Sequence, residues 1–175
     1  KKTKAIMINT PNNPTGVCYT KEALLELGKL AVEHDFYIIS DEVYEKLVYD
    51  NNRHICIAGL SKEIYDRSII INGFSKSHAM TGYRIGFIAG PQELMKSVSA
   101  IHAMLVTAAS NPAMAAAVAA FGTNEGKTAT QEMKDAYEQR RDFVVNNLQK
   151  LGFELINPQG AFYVFAKIPE QYGND

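Results

Sequence analysis

Three short apolar runs, each cut off by residues that cannot continue it, constrain this chain more than anything else in it. Residues 5–9 run into Thr10-Pro11-Asn12-Asn13-Pro14-Thr15-Gly16, whose prolines and glycine stop strand and helix alike. Residues 36–40 run into Asp41-Glu42-Val43-Tyr44, and residues 68–72 into Gly73-Phe74-Ser75-Lys76. Between the first two, Thr20 can cap a helix over 21–33, with Glu22 in its first turn and Leu24, Leu27 and Ala31 along one face. Strand, helix, strand in that order predicts a parallel pair joined by a right-handed crossover.

The remainder of the chain changes character. Residues 46–49 could form a short strand before a polar turn at Asp50-Asn51-Asn52-Arg53, and residues 84–89 read as a fourth strand stopped by Gly90-Pro91. Pro91 suits the first position of a helix carrying Leu94, Val98, Ile101 and Leu105 on one face. An alanine-rich helix over 113–121, a polar break at 122–126 and a long amphipathic helix over 128–151 follow. Residues 153–156 and 161–168 then read as two strands joined through Asn157-Pro158-Gln159-Gly160. The fold class expected is α/β: a three-layer, mostly parallel sheet followed by the start of a small α+β domain. The boundary falls near 122–130, giving units 1–122 and 123–175. The chain starts without an initiator methionine and stops soon after a strand, which predicts a piece of a longer protein.

Composition removes several function classes. Eighteen basic against nineteen acidic residues give a net charge of −1 without a basic tract, which argues against nucleic acid or an anionic membrane as partner. Cys18 and Cys56 stand alone, and His34, His54, His78 and His102 lack metal-ligand spacing, so neither a disulfide framework nor a metal site is expected. No apolar run approaches the ~18 residues of a membrane span, and no signal peptide is visible, so the expected setting is soluble and cytoplasmic.

If the first three strands are parallel, their C-terminal ends share the sheet edge at which open α/β sheets bind ligands. Just beyond those ends lie Asn13, Asp41 with Tyr44, and Lys76. Each has an ordinary structural use: Asn13 in a turn, Asp41 in a cap, Tyr44 in a core, Lys76 in solvent. An amide, a carboxylate, a phenol and an amine in one place are also what pyridoxal 5'-phosphate requires. A carboxylate keeps the pyridine nitrogen protonated, a phenol and an amide hold the ring's 3-oxygen, and an amine condenses with the aldehyde. Such an amine, with an ordinary pKa of about 10.4, reacts only where desolvation or positive charge lowers that value, and Arg84 could supply the charge. The phosphate needs an arginine fork and hydroxyls, which Arg84 and Ser75, with Ser77, could provide.

Asn12-Asn13-Pro14-Thr15-Gly16, Ser40-Asp41-Glu42-Val43-Tyr44 and the stretch from Gly73 through Lys76 and Arg84 to Gly86 resemble three signatures of the class I and II aminotransferases. These are the aspartate aminotransferase-like branch of the fold-type I pyridoxal phosphate enzymes. Pro158-Gln159-Gly160-Ala161-Phe162-Tyr163 resembles the family's small-domain motif. The resemblance implies that Lys76 carries the cofactor and moves a proton between the amino acid's α-carbon and the cofactor's C4′. It further implies that Asp41 pairs with the ring nitrogen, Asn13 and Tyr44 hold the 3-oxygen, and Arg84 with Ser75 holds the phosphate. Gly73 departs from the pattern, since several members carry a serine there, which places more of the hydroxyl contact on Ser75. The family's glycine-rich phosphate loop, its ring-stacking aromatic and its substrate-carboxylate arginine do not map onto these residues.

The activity implied is amino-group transfer between an amino acid and a 2-oxo acid by a homodimer, of the aspartate or aromatic type because Glu45-Lys46-Leu47-Val48-Tyr49-Asp50 continues the aspartate motif in that manner. The isolated chain is expected to be inactive. Alternatives on the same fold are a C–S lyase, a decarboxylase, a cyclopropane-forming synthase, or the aminotransferase-like domain of a transcriptional regulator.

Overall fold

The computed structural model describes residues 2–173. Strand β1 (Ala5–Asn9) leads through the proline-rich turn to helix α1 (Lys21–His34) and back to strand β2 (Tyr37–Asp41). The Thr20 hydroxyl caps α1 by accepting from the Ala23 amide, and Asp35, in left-handed backbone at φ 54°, ends it. A short helix α2 (Lys62–Tyr65) precedes strand β3 (Ser68–Gly73), a one-turn helix α3 (Phe74–Ser77) and strand β4 (Gly86–Ala89).

The sheet order is β1-β2-β3-β4. β1, β2 and β3 pair in parallel, with Asn9 beside Asp41 and Asp41 beside Ile71, so the three C-terminal ends are level. β4 returns antiparallel against β3, pairing Gly73 with Gly86. The twelve residues between β3 and β4 are taken up by α3 and a tight turn over Thr81–Tyr83, which reverse the chain directly onto the neighbouring edge of β3.

One face of the sheet carries the core: Ile8, Ile38 and Ile70 pack against Leu24 and Ala31 of α1, Ile57, and Ile64 of α2. Leu24, Ala31, Ile38 and Ile57 are wholly buried, each large aliphatic contributing roughly 1.5–3 kcal/mol. Gly28 permits this closeness, since a Cβ there would lie 2.4 Å from Ile64 Cδ1. The opposite face is far more open: Met7 is 66% exposed, and helix α4 (Gln92–Leu105) buries no residue although it follows β4 directly.

Helix α5 (Asn111–Gly122) and the long helix α6 (Asn124–Lys150) meet without the polar break expected at 122–126. Thr123 alone separates them: its hydroxyl donates to the Ala119 carbonyl and accepts from the Gly126 amide, ending one helix and capping the next. The C-terminal strands are shorter than expected. β5 (Glu154–Leu155) pairs antiparallel with β6 (Ala166–Lys167), and residues 161–165 lie outside any strand. Their backbone is used elsewhere: Ala161 adopts φ 59°, its amide donates to the Leu47 carbonyl, and its carbonyl accepts the Tyr49 hydroxyl. The strand expected at 46–49 is likewise reduced to one bridge, Val48 to Gly160.

Candidate functional site

The level ends of β1, β2 and β3 place the candidate residues on one edge. Asn9 at the end of β1 braces two of them at once: its Nδ2 donates to the Asp41 carbonyl at 3.1 Å, and its Oδ1 accepts the Asn13 amide at 2.6 Å. Asp41 Oδ1 accepts the Val43 amide at 3.2 Å, turning the chain so that Tyr44 follows on the same side. Behind this turn Glu42, 1% exposed, accepts the Ser40 hydroxyl at 3.0 Å and lies 2.7 Å from His54 Nε2. Glu45 completes a grouping with Glu42 and His54 whose ligand atoms lie within 4.8 Å of one another. Both Glu42 oxygens are already engaged, so this cluster serves as a hydrogen-bonded brace for the Asp41 turn.

Lys76 sits on α3. Its Nζ lies 6.0 Å from the centroid of the Tyr44 ring and 5.3 Å from that of Phe162, and it forms no ion pair among the described residues. The Lys76 amine thus lies against a pair of aromatic rings that themselves pack edge to face. Tyr44 is buried, and its phenol is raised above its ordinary pKa, first by burial and then by the hydroxyl of Tyr163 and the charge of Asp41. Tyr44 therefore keeps its proton through the physiological range.

Sequence reasoning gave Tyr163 no role, although it lay in a motif already singled out. Its Oη is 2.8 Å from Tyr44 Oη and accepts from Asn13 Nδ2 at 3.2 Å. Phe162 packs edge-on against Tyr44, with centroids 5.2 Å apart. Both aromatics are delivered by the 158–161 segment. Gln159 and Gly160 donate to the Gly16 carbonyl, and Tyr49 donates to the Gln159 carbonyl. Gly16 needs φ 71° and the absence of a Cβ, which would fall 2.5 Å from Pro158 Cβ.

Asn13 and Tyr44 are thus joined through the Tyr163 hydroxyl, Lys76 lies over the Tyr44 ring, and Asp41 ends β2 beside Asn9. Ser75 and Arg84 are not tied to that cluster. The Ser75 carbonyl accepts the Thr81 hydroxyl at 2.9 Å, and the exposed Arg84 guanidinium donates to the Thr81 carbonyl at 2.8 Å. Both belong to the turn linking α3 to β4. Ser77 faces inward, donating to the Gly73 carbonyl at 3.2 Å and lying 2.7 Å from His78 Nδ1.

The donor set fits pyridoxal phosphate. An amine lying against two aromatic rings, a carboxylate with one oxygen engaged, and a protonated phenol beside an amide are together at one edge.

Comparison with known proteins agrees with this chemistry. The profile described as aminotransferase class I and II matches residues 1–173. The chain is 43% identical over 171 residues to an aspartate aminotransferase of Bacillus subtilis, covering 97% of this chain and 43% of that protein. It is 42% identical to aromatic-amino-acid aminotransferase 2 of Thermococcus litoralis, again covering 97% of this chain and 43% of the relative. The crystal structure of an aromatic aminotransferase from Pyrococcus horikoshii superposes with a TM-score of 0.91 at 41% identity, covering 95% of this chain and 44% of that one. The chain therefore spans less than half the length of these relatives. By the match along nearly its whole length, it belongs to the class I and II aminotransferase family.

Proposed function

We propose that this chain supplies the lysine and one wall of the pyridoxal phosphate site in an enzyme that moves an amino group between an amino acid and a 2-oxo acid. The observation that carries the reading is the convergence of Asn13, Asp41, Tyr44 and Lys76 at the C-terminal edge of three parallel strands. Pyridoxal phosphate, when bound, supplies an aldehyde that condenses with amines and a ring that withdraws electrons from the α-carbon.

Lys76 provides the amine that holds the cofactor and, once displaced by substrate, the base that moves a proton from the α-carbon. Asp41 provides the carboxylate for the ring nitrogen, stiffened through Asn9 and through Glu42 behind it. Tyr44 donates its retained proton to the ring's 3-oxygen, and Asn13 donates a second hydrogen bond there. Ser75 and Arg84 hold the phosphate, the Arg84 fork keeping free N–H donors beyond the Nη1 bond to the Thr81 carbonyl. Residues 1–122 form the second half of the cofactor domain and residues 123–175 the beginning of the small domain. The relatives' names favour an acidic or aromatic amino acid as substrate. The working enzyme is a cytoplasmic homodimer.

The test is borohydride reduction of the protein at its full encoded length after incubation with pyridoxal phosphate, followed by peptide mapping. Label is expected on Lys76 and nowhere else, and it disappears in Lys76→Ala. Label on another lysine refutes the assignment.

A further inference from the structure

Two donors in this site, the Asn13 amide and the Tyr44 hydroxyl, already meet a third group, the hydroxyl of Tyr163. It is 119 residues from Tyr44 in sequence and sits 2.8 Å from its oxygen and 3.2 Å from Asn13 Nδ2. The position is built. The Tyr163 ring stands edge-on to Tyr44 at 5.9 Å and packs against Phe162 at 4.9 Å. The backbone before it is fastened to residues 47–49 by the Ala161 amide on the Leu47 carbonyl and the Tyr49 hydroxyl on the Ala161 carbonyl.

A phenol can donate one hydrogen bond and accept others. Tyr44 has a single proton to give, and in the structure its nearest acceptor is Tyr163. If that proton is to go to the ring oxygen, the Tyr44 oxygen is left to accept, and Tyr163 is the adjacent hydroxyl able to donate to it. Asn13, donating to the Tyr163 oxygen, makes that hydroxyl a better donor, and the three bonds then run in one direction.

We infer that Tyr163 is a positioning residue that acts through Tyr44: its hydroxyl donates to the Tyr44 oxygen and so directs the Tyr44 proton at the cofactor's ring oxygen. This rests on the cofactor reading above. The groups facing Tyr44 are Tyr163, Asn13, Asp41 and Lys76, so a Tyr163→Phe change leaves every charged group in place.

The experiment is a pH titration of the bound cofactor's visible absorption in the protein at its full encoded length, with cofactor affinity and a thermal melt measured alongside. A hydrogen bond to the ring oxygen favours its anionic form, so weakening that bond raises the midpoint. Tyr163→Phe should raise it by about 0.4–1 unit, the worth of an ordinary hydrogen bond, and weaken cofactor affinity by a few-fold. Tyr163→Leu, which removes the ring as well, should give a midpoint shift of the same size if the hydroxyl is what counts. In a Tyr44→Phe background, neither change should move the midpoint further. An unmoved midpoint overturns the inference, as does a fall, which would make Tyr163 a competitor for the Tyr44 proton. A shift that persists without the Tyr44 hydroxyl overturns it too. A protein that develops no visible band with pyridoxal phosphate refutes the cofactor reading itself, a result distinguishable from these three.

Discussion

Arg141 offers a test of what holds the 158–163 segment over the site. It is 6% exposed, yet it carries a charge on helix α6. Its guanidinium makes a bidentate pair with Asp50 at 2.9 and 3.1 Å, donates to the Pro158 carbonyl at 2.7 Å, contacts Asp142 at 2.7 Å, and lies 5.1 Å from the Tyr49 ring centroid. Arg141→Met keeps the apolar stem and deletes all of these.

The contributions differ. Asp142 is 57% exposed and adjacent in sequence, so its loss is nearly neutral. Asp50 is half exposed, and solvent limits that pair to about 1 kcal/mol even with fork geometry. The Pro158 carbonyl is buried and loses a charge-assisted bond worth roughly 1.5–3 kcal/mol. The contact with Tyr49 adds about 0.5–1 kcal/mol. Allowing for overlap, the expected loss is about 3–4 kcal/mol, a fall in melting temperature of roughly 6–12 °C for a chain of this size.

Asp50→Asn should cost only about 1 kcal/mol, and it supplies a pH check. The Arg141 hydrogen bonds hold the Asp50 carboxyl below its ordinary pKa, so its contribution is complete above about pH 4 and is lost as pH falls through the lowered value. Melts of both variants from neutral pH to below 4 decide the matter. An Arg141→Met loss under about 1 kcal/mol, or an Asp50→Asn loss as large as that of Arg141→Met, refutes the argument that the carbonyl bond dominates.

Burial pushes both Cys18 and Cys56 up to about 11, so only about a thousandth of either is thiolate at pH 8, and iodoacetamide should label the native protein at least tenfold more slowly than the denatured one. Gly160→Ala should cost roughly 1–3 kcal/mol in a chemical-denaturation series, because its Cβ would fall 2.7 Å from the Leu47 carbonyl oxygen and 2.8 Å from the Pro11 ring; an unchanged midpoint would show that the 158–163 segment can shift freely.

Local chemistry made part of this molecule legible. Apolar runs with hard stops place β1, β2 and β3 to within a residue, and their parallel order alone brings Asn13, Asp41, Tyr44 and Lys76 to one edge. Errors arose where a distant partner overrode a local signal. Gly122 and Gly126 read as breakers, yet Gly126 sits in the first turn of α6 because α5 closes against it: a Cβ there would fall 1.9 Å from the Ala120 carbonyl oxygen. Residues 161–165 have strand-like composition, but Tyr49, 112 residues earlier, takes the Ala161 carbonyl that a strand ladder would use. Tyr163, though part of a recognisable motif, shows no site role in the sequence for the same reason, since no spacing rule connects it to Tyr44.

These long-range ties form one path, and its order matters. Arg141 holds the Pro158 carbonyl; two residues on, Gly160 meets Leu47 and Pro11; Ala161 is pinned by Tyr49; and Tyr163 then reaches Tyr44 and Asn13. Tyr49 serves the path twice, under the Arg141 guanidinium and on the Ala161 carbonyl. Loosening the Arg141 end should therefore do more than lower stability. In conditions where Arg141→Met remains folded, the Tyr163 hydroxyl is less firmly held against Tyr44, so the cofactor's absorption midpoint should move in the same direction as in Tyr163→Phe, by a smaller amount. A purely structural latch would lower the melting temperature and leave that midpoint where it was.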